Sequence, residues 1–191
     1  VNLVAHSQGA LDARWIAAFL DEDEQVASIV SVGTPHHGTA VADLATGAFD
    51  AFNVDPATLN AIVSALGSLA GLTGAELVEQ TEGLTTEAMA AFNLEVLDAP
   101  GVYYASYSGR SCRAIDVVCQ SEMNGETVDP LFAATLVFLE QAEGRNDGMS
   151  SVESAKWGDW RGEIPADHAD EIGQIADLNN DAFDHRAFYL N

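Results

Sequence analysis

The residues best suited to chemistry lie at the start of the chain, where a serine stands in a tight turn between two regular elements. Ser7 follows an apolar run over residues 1–5, which predicts a buried strand, and precedes residues 8–20, which predict a helix. A serine at a sharp strand-to-helix turn is typical of the nucleophile elbow, G-x-S-x-G. Ala5 replaces the first glycine, and its small side chain still suits a turn that brings strand and helix together. We interpret Ser7 as a candidate nucleophile and the Gln8 N–H as a candidate oxyanion donor, against the alternative of a helix-capping serine.

A serine nucleophile needs a base to take its proton, and the base needs an acid to orient it. Five histidines are available. His6 adjoins the serine and is expected to point away from it, while His36 and His37 precede any acid, against the order serine, acid, histidine of this motif. His168, in a late polar loop, is preferred over His185, which lies in a terminal helical stretch.

Charge alone cannot identify the acid, because the chain contains 30 aspartates and glutamates. Asp147 is the candidate, since it stands in the turn Asn146–Gly148, beyond the third predicted strand and before His168. Aspartate is also common in turns for structural reasons, so both interpretations stay open on the residues alone.

The composition limits the classes of function. A length of 191 residues, 48% of them hydrophobic, suits one globular domain. The net charge of −23 argues against nucleic acid as a partner and disfavours docking on anionic membranes. Cys112 and Cys119 lie in a polar stretch, which favours a loop disulfide in an exported protein over free thiols or a metal site.

The order of the predicted elements indicates an α/β protein. A second strand over residues 26–33 follows the first helix, which gives a parallel unit whose carboxyl edge carries both Ser7 and the two histidines after that strand. A third strand is predicted at 102–107, and a turn at 157–162. The uncharged helical segment from Pro56 to Ala75 is too rich in Gly, Ser and Thr for a membrane span. It is predicted to be either a buried core helix or a mobile lid.

Four blocks in this order resemble the bacterial true lipases of the Pseudomonas and Burkholderia type. The blocks are Ala5–Gly9, Gly33–Gly38, Asn146–Gly148 and Asp167–Glu171, and Leu84–Asn93 and Tyr103–Gly109 also look similar. The resemblance implies Ser7 as nucleophile, Asp147 as acid and His168 as general base. It also implies an α/β-hydrolase fold, with a mostly parallel sheet flanked by helices and a helical lid at about 43–83.

The resemblance further implies that residues 1–191 form the C-terminal part of a single domain. Val1 opens inside a predicted strand, and no signal peptide is visible. We therefore expect N-terminal strands, a second oxyanion donor and an export signal upstream, in a secreted protein. Lipases of this type often need a dedicated foldase, which is a possible partner.

A structural Ca²⁺ ion is also implied by the resemblance. Its ligands are expected to be the carboxylates of Asp129 and Asp170 and the backbone carbonyls of Gln174 and Leu178. Hard oxygen donors of this kind suit calcium. The alternative is that these are unrelated acids in a very acidic protein.

The expected function is hydrolysis of carboxylic esters through an acyl-serine intermediate, with long-chain acylglycerols as substrates at an oil–water interface. A short-chain esterase, polyester depolymerase or thioesterase with the same triad is the alternative. A non-catalytic, calcium-stabilised binding module is a more remote alternative, because it leaves the order of serine, acid and histidine without a purpose.

Overall fold

The structure is a computed structural model that describes residues 1–21, 25–47, 56–70, 75–174 and 182–190. Within these ranges the chain forms one parallel sheet in the order β1-β2-β3-β4. Its strands are β1 (Asn2–His6), β2 (Ser28–Val32), β3 (Tyr103–Gly109) and β4 (Asp159–Ile164). The helices are α1 (Gln8–Phe19), α2 (Ala40–Thr46), α3 (Pro56–Ala70), α4 (Ala75–Glu82), α5 (Thr86–Glu95), α6 (Val117–Glu122), α7 (Ala133–Ala142) and α8 (His185–Leu190), with a 3₁₀ turn at Asp170–Ile172.

The sheet is covered by helices on both faces, as an α/β fold requires. Tyr104 and Tyr107 lie three residues apart on β3 and therefore point to opposite faces. Tyr104 belongs to the apolar cluster that includes Ala13 of α1, whereas the ring of Tyr107 meets Phe188 of α8 at a centroid distance of 4.9 Å. The predicted fold class, a parallel sheet with helices on both faces, is thus confirmed.

β4 corrects the sequence-based prediction of a turn at residues 157–162. Residues Asp159–Ile164 pair in parallel with β3, with an irregularity between Ser106 and Ser108. The segment reads Asp-Trp-Arg-Gly-Glu-Ile and is largely exposed. Because an exposed strand at the side of a sheet needs no apolar alternation, its pattern gave no signal.

The segment predicted as a core helix or a lid is α3, which has one buried and one exposed side. Ile62 and Ala65 are fully buried against a cluster that contains Val41 of α2 and Leu139 of α7. On the other side, Leu59 and Val63 are exposed. None of the described helices is long and apolar enough to cross a membrane.

Candidate active site

The turn between β1 and α1 holds Ser7 in a conformation that is rare for a residue with a side chain. Its backbone has φ 53° and ψ −135°, and it is fixed by a 3.0 Å hydrogen bond from the Ser7 N–H to the carbonyl of Val32 on β2. Such a backbone costs on the order of 1–3 kcal/mol and persists where the surroundings enforce it. A Cβ added at Gly9 would lie 4.0 Å from the Cβ of Ala5, an ordinary contact. The turn therefore accommodates alanine at position 5.

The side chains of Ser7, His168 and Asp147 form a continuous chain of hydrogen bonds. His168 Nε2 lies 2.9 Å from Ser7 Oγ, and His168 Nδ1 lies 2.8 Å from Asp147 Oδ2. When Nδ1–H donates to the carboxylate, Nε2 carries a lone pair that can accept the serine proton. His168 and Asp147 are buried, and Ser7 is partly exposed. Three residues from distant parts of the sequence thus meet at the carboxyl edge of the sheet.

The carboxylate of Asp147 is held rigidly by its own turn. Oδ1 accepts hydrogen bonds from the N–H groups of Met149 (2.7 Å) and Ser150 (2.6 Å), which leaves Oδ2 for the imidazole. Gly148 has φ +94°, and a Cβ there would overlap with the side chain of Phe132. Both the positive φ and the close contact with Phe132 therefore require glycine at position 148.

His6 points into the site, contrary to the expectation that it would point away. Its ring lies 4.5 Å from the ring of His168, and its Nε2 is 2.8 Å from Glu171 Oε2. Burial, with a smaller effect of His168, lowers the pKa of His6 well below its ordinary value. His6 and Ser7 therefore both lie beside His168, although they are adjacent in the sequence.

Glu171 is a second buried acid beside the histidine that the sequence did not single out. Its side chain is fully buried, and Oε2 lies 3.9 Å from His168 Nδ1. Burial, followed by the charges of Asp147 and Asp167, raises its pKa well above the ordinary value. Glu171 stands in one of the blocks that resemble the lipases, but among so many acids nothing marked it as buried.

The other candidate histidines serve different parts of the fold. His36 is buried, with Nε2 2.9 Å from Ser31 Oγ and Nδ1 3.3 Å from an Arg14 nitrogen. His185 lies in α8, beside Gly173. These placements agree with the choice of His168 among the five.

A cavity of about 270 Å³ opens over Ser7 and His168. Gln80, Thr81 and Leu84, at and after the end of α4, form part of its wall. The segment predicted as the lid region, about 43–83, thus contributes to the lining of this cavity.

A second cluster of buried acids lies where the loop that carries His168 meets the segment after α6. Carboxylate oxygens of Glu126, Asp167 and Asp170 lie within 4.8 Å of one another. Asp129 joins them, since its N–H donates to Asp167 Oδ2 at 2.8 Å. Burial raises the pKa of Glu126 to about 8, with nearby aspartates adding to the shift and a hydrogen bond from Ser111 opposing it.

Of the expected calcium ligands, Asp129 and Asp170 are brought to this cluster. Gln174 lies next to the 3₁₀ turn, where its N–H donates to the carbonyl of Ala169, and Leu178 is outside the described residues. The sequence did not indicate Glu126 as a member of the cluster. The predicted Cys112–Cys119 disulfide is present.

The chain thus has an α/β-hydrolase-like fold, in which a serine, a histidine and an acid form one hydrogen-bonded chain. No protein-family model matches it. It is 31% identical over 201 residues to a triacylglycerol lipase of Pseudomonas fragi (92% of this chain, 66% of the relative). It is 27% identical over 223 residues to one of Burkholderia plantarii (92% and 59%).

The comparison with solved structures agrees in fold. The Staphylococcus hyicus lipase has a TM-score of 0.62 at 17% identity, covering 100% of this chain and 67% of that one. The chain is thus similar in sequence to bacterial triacylglycerol lipases and similar in fold to solved lipases. It spans between about half and two thirds of the length of the curated relatives it matches.

Proposed function

We propose that the chain carries the catalytic residues of a carboxylic ester hydrolase that acts on long-chain acylglycerols. The observation that carries this proposal is the position of His168, whose two ring nitrogens contact Ser7 Oγ at 2.9 Å and Asp147 Oδ2 at 2.8 Å. This is the geometry that a serine nucleophile, a general base and an orienting acid require.

The reaction follows from these contacts in two half-reactions. Ser7 Oγ attacks the ester carbonyl while His168 Nε2 takes its proton, which gives a tetrahedral oxyanion and an imidazolium. His168 then donates that proton to the leaving alcohol as the carbon–oxygen bond breaks, which leaves an acyl-Ser7. Water, activated by the neutral His168, attacks the acyl group and releases the carboxylic acid and free Ser7.

The remaining groups stabilise charge during these steps. Asp147 carries its negative charge beside the transient imidazolium and holds its ring in the reactive orientation. The N–H of Gln8, the first residue of α1, would stabilise the oxyanion.

The choice of long acyl chains rests on the predicted lid. Leu59 and Val63 on the exposed side of α3 would contact a lipid surface, and Leu84 after α4 faces the cavity over Ser7. A lid of this kind predicts that the rate rises sharply once substrate forms droplets. A rate that follows dissolved substrate without such a rise would favour a short-chain esterase or related enzyme.

Calcium is proposed as a structural ion at the acid cluster. Asp129 Oδ2 is buried and accepts no hydrogen bond from the described residues, which fits a carboxylate that binds a cation. Asp129 and Asp170, with carbonyls at Gln174 and Leu178, would hold the ion. Bound there, it would fix the loop that carries His168.

Secretion and a dedicated foldase are part of the same proposal. The disulfide between Cys112 and Cys119 suits an oxidising compartment. Co-expression with a lipase foldase should raise the yield of active enzyme if such a partner is needed.

Replacing Ser7 by alanine tests the proposed catalytic role. Ser7→Ala should abolish hydrolysis of p-nitrophenyl and triacylglycerol esters while the circular dichroism spectrum stays unchanged. Ser28→Ala is the matched control, because Ser28 pairs with Asn2 at the opposite end of β2 from the site. Retained turnover in Ser7→Ala would disprove the assignment.

A further inference from the structure

Glu126 is a buried carboxylate of which only one oxygen accepts a hydrogen bond from the described residues. It follows α6, it is 0% exposed, and its Oε1 accepts a 2.8 Å hydrogen bond from Ser111 Oγ. Its other oxygen, Oε2, is buried and has no hydrogen-bond partner among the described residues. Burying a carboxylate oxygen in this way is costly unless a positive charge or a donor faces it.

The surroundings of Glu126 are acidic. A carboxylate oxygen of Glu126 lies within 4.8 Å of those of both Asp167 and Asp170. Both arginines on the preceding segment contact other acids: Arg110 pairs with Glu122 and Glu163, and Arg113 pairs with Glu140. In the described part of the chain, no salt bridge involves Glu126.

Asp167 differs from Glu126, because donors already satisfy its carboxylate. Its Oδ1 accepts the N–H groups of Ala169 and Asp170 at 3.0 Å each, and its Oδ2 accepts that of Asp129. Asp167 therefore joins the two segments of the cluster through the backbone. Glu126 Oε2 and Asp129 Oδ2 are buried and have no hydrogen-bond donor among the described residues.

We propose that Glu126 is a third carboxylate ligand of the calcium ion, in addition to Asp129 and Asp170. The proposal rests on the calcium site put forward above. A hard cation that takes several carboxylates and carbonyls would supply the positive charge that Glu126 Oε2 lacks. The site would then carry three negative charges from its ligands instead of two.

This ligand connects the ion to the acid of the catalytic triad as well as to the histidine. Ser111 holds Glu126 through its hydroxyl, and its N–H donates to the carbonyl of Asn146 at 3.0 Å. Asn146 begins the turn that presents Asp147, and its Oδ1 accepts the Gly148 N–H. The ion would therefore support the turn of Asp147 through Glu126 and the loop of His168 through Asp170.

Calcium binding to the intact chain tests the proposal. Isothermal titration with CaCl₂ at pH 7.5 should show that Glu126→Gln weakens the affinity at least tenfold. Glu122→Gln is the matched control, since Glu122 is four residues away and its side chain is 56% exposed; its affinity should equal that of the wild type. Melting curves in EDTA should show that Glu126→Gln is as stable as the wild type or more so, because the amide avoids the cost of burying an ionisable carboxyl group.

The outcomes separate the two proposals. If the wild type binds no calcium, the calcium site and the role of Glu126 both fail. If Asp129→Asn abolishes binding while Glu126→Gln binds within twofold of the wild type, the site stands and the role of Glu126 is overturned. Should Glu126→Gln not fold, Glu126→Asp keeps the charge but withdraws the carboxylate by one methylene. It should also bind more weakly, and unchanged affinity in that variant would refute the proposal.

Discussion

Replacing Asp147 by asparagine should stop the reaction by changing where His168 carries its proton. The Asp147 Oδ1 position accepts two backbone N–H groups, from Met149 at 2.7 Å and Ser150 at 2.6 Å, so this position requires an oxygen. The amide nitrogen of Asp147→Asn must therefore occupy the Oδ2 position and face His168 Nδ1. A donor there stabilises the ring with its proton on Nε2, which cannot accept the proton of Ser7.

The size of the effect follows from this orientation. Rotating the amide to face His168 with its oxygen would place a donor against two N–H groups, at about 1–3 kcal/mol for each unsatisfied group. In serine proteases the wrong histidine tautomer lowers kcat about 10⁴-fold, which corresponds to roughly 5.4 kcal/mol in the barrier. We expect a loss of the same order in Asp147→Asn, with little change in KM.

The assay is the initial rate of p-nitrophenyl ester hydrolysis against pH. Asp159→Asn is the control, because Asp159 is exposed on β4 and contacts Tyr103. An activity of Asp147→Asn within tenfold of the wild type would refute the argument from the two N–H groups. The double variant Asp147→Asn with Glu171→Gln would then show whether Glu171, 3.9 Å from His168 Nδ1, had replaced the acid.

Three further predictions concern stability. The melting temperature in EDTA should be about 5–10 °C lower than in calcium at 100 times its Kd. Asp129→Ala should remove this difference, and an equal shift in the variant would exclude Asp129 as a ligand. Gly109→Ala should lower the free energy of unfolding, measured with urea, by about 1–3 kcal/mol, because the added Cβ would overlap with the carboxylate of Glu171. Gly83→Ala should leave it nearly unchanged. Burial holds the pKa of His36 well below its ordinary value, so its contribution to the unfolding free energy is present above the unfolded pKa of about 6.5 and decreases as the pH falls. His36→Gln should show a weaker loss of stability between pH 7 and 5, and parallel curves would contradict this.

Part of the fold and the turn of Ser7 could be predicted because their signals are local, whereas the choice of Asp147 and His168 relied on their order in the chain and on the resemblance to the lipases. The apolar run before Ser7 forms the predicted strand β1, and the glycine after Asp147 has the positive φ that its turn needs. The prediction that β1 is buried is wrong for the described residues, since none of its residues is buried and Val4 is 57% exposed. The strands β1, β2 and β3 lie where short runs rich in apolar and β-branched or aromatic residues predicted them.

The features that the sequence did not reveal depend on long-range packing. β4 is identified by its pairing with β3 and not by its own polar residues. Glu171 and Glu126 are buried because distant segments pack around them. The sequence alone does not distinguish a buried glutamate from an exposed one. Among 30 acids, burial could not be assigned before the fold was known.

Covalent labelling by a fluorophosphonate tests the central claim most directly, since it reports the activated serine without requiring a particular ester substrate. Tryptic mass spectrometry should find the label on Ser7 alone, and His168→Ala should greatly slow its incorporation because Nε2 no longer accepts the serine proton. Labelling of a different serine, or equal rates in the wild type and His168→Ala, would contradict the assignment of Ser7 and His168 as nucleophile and base.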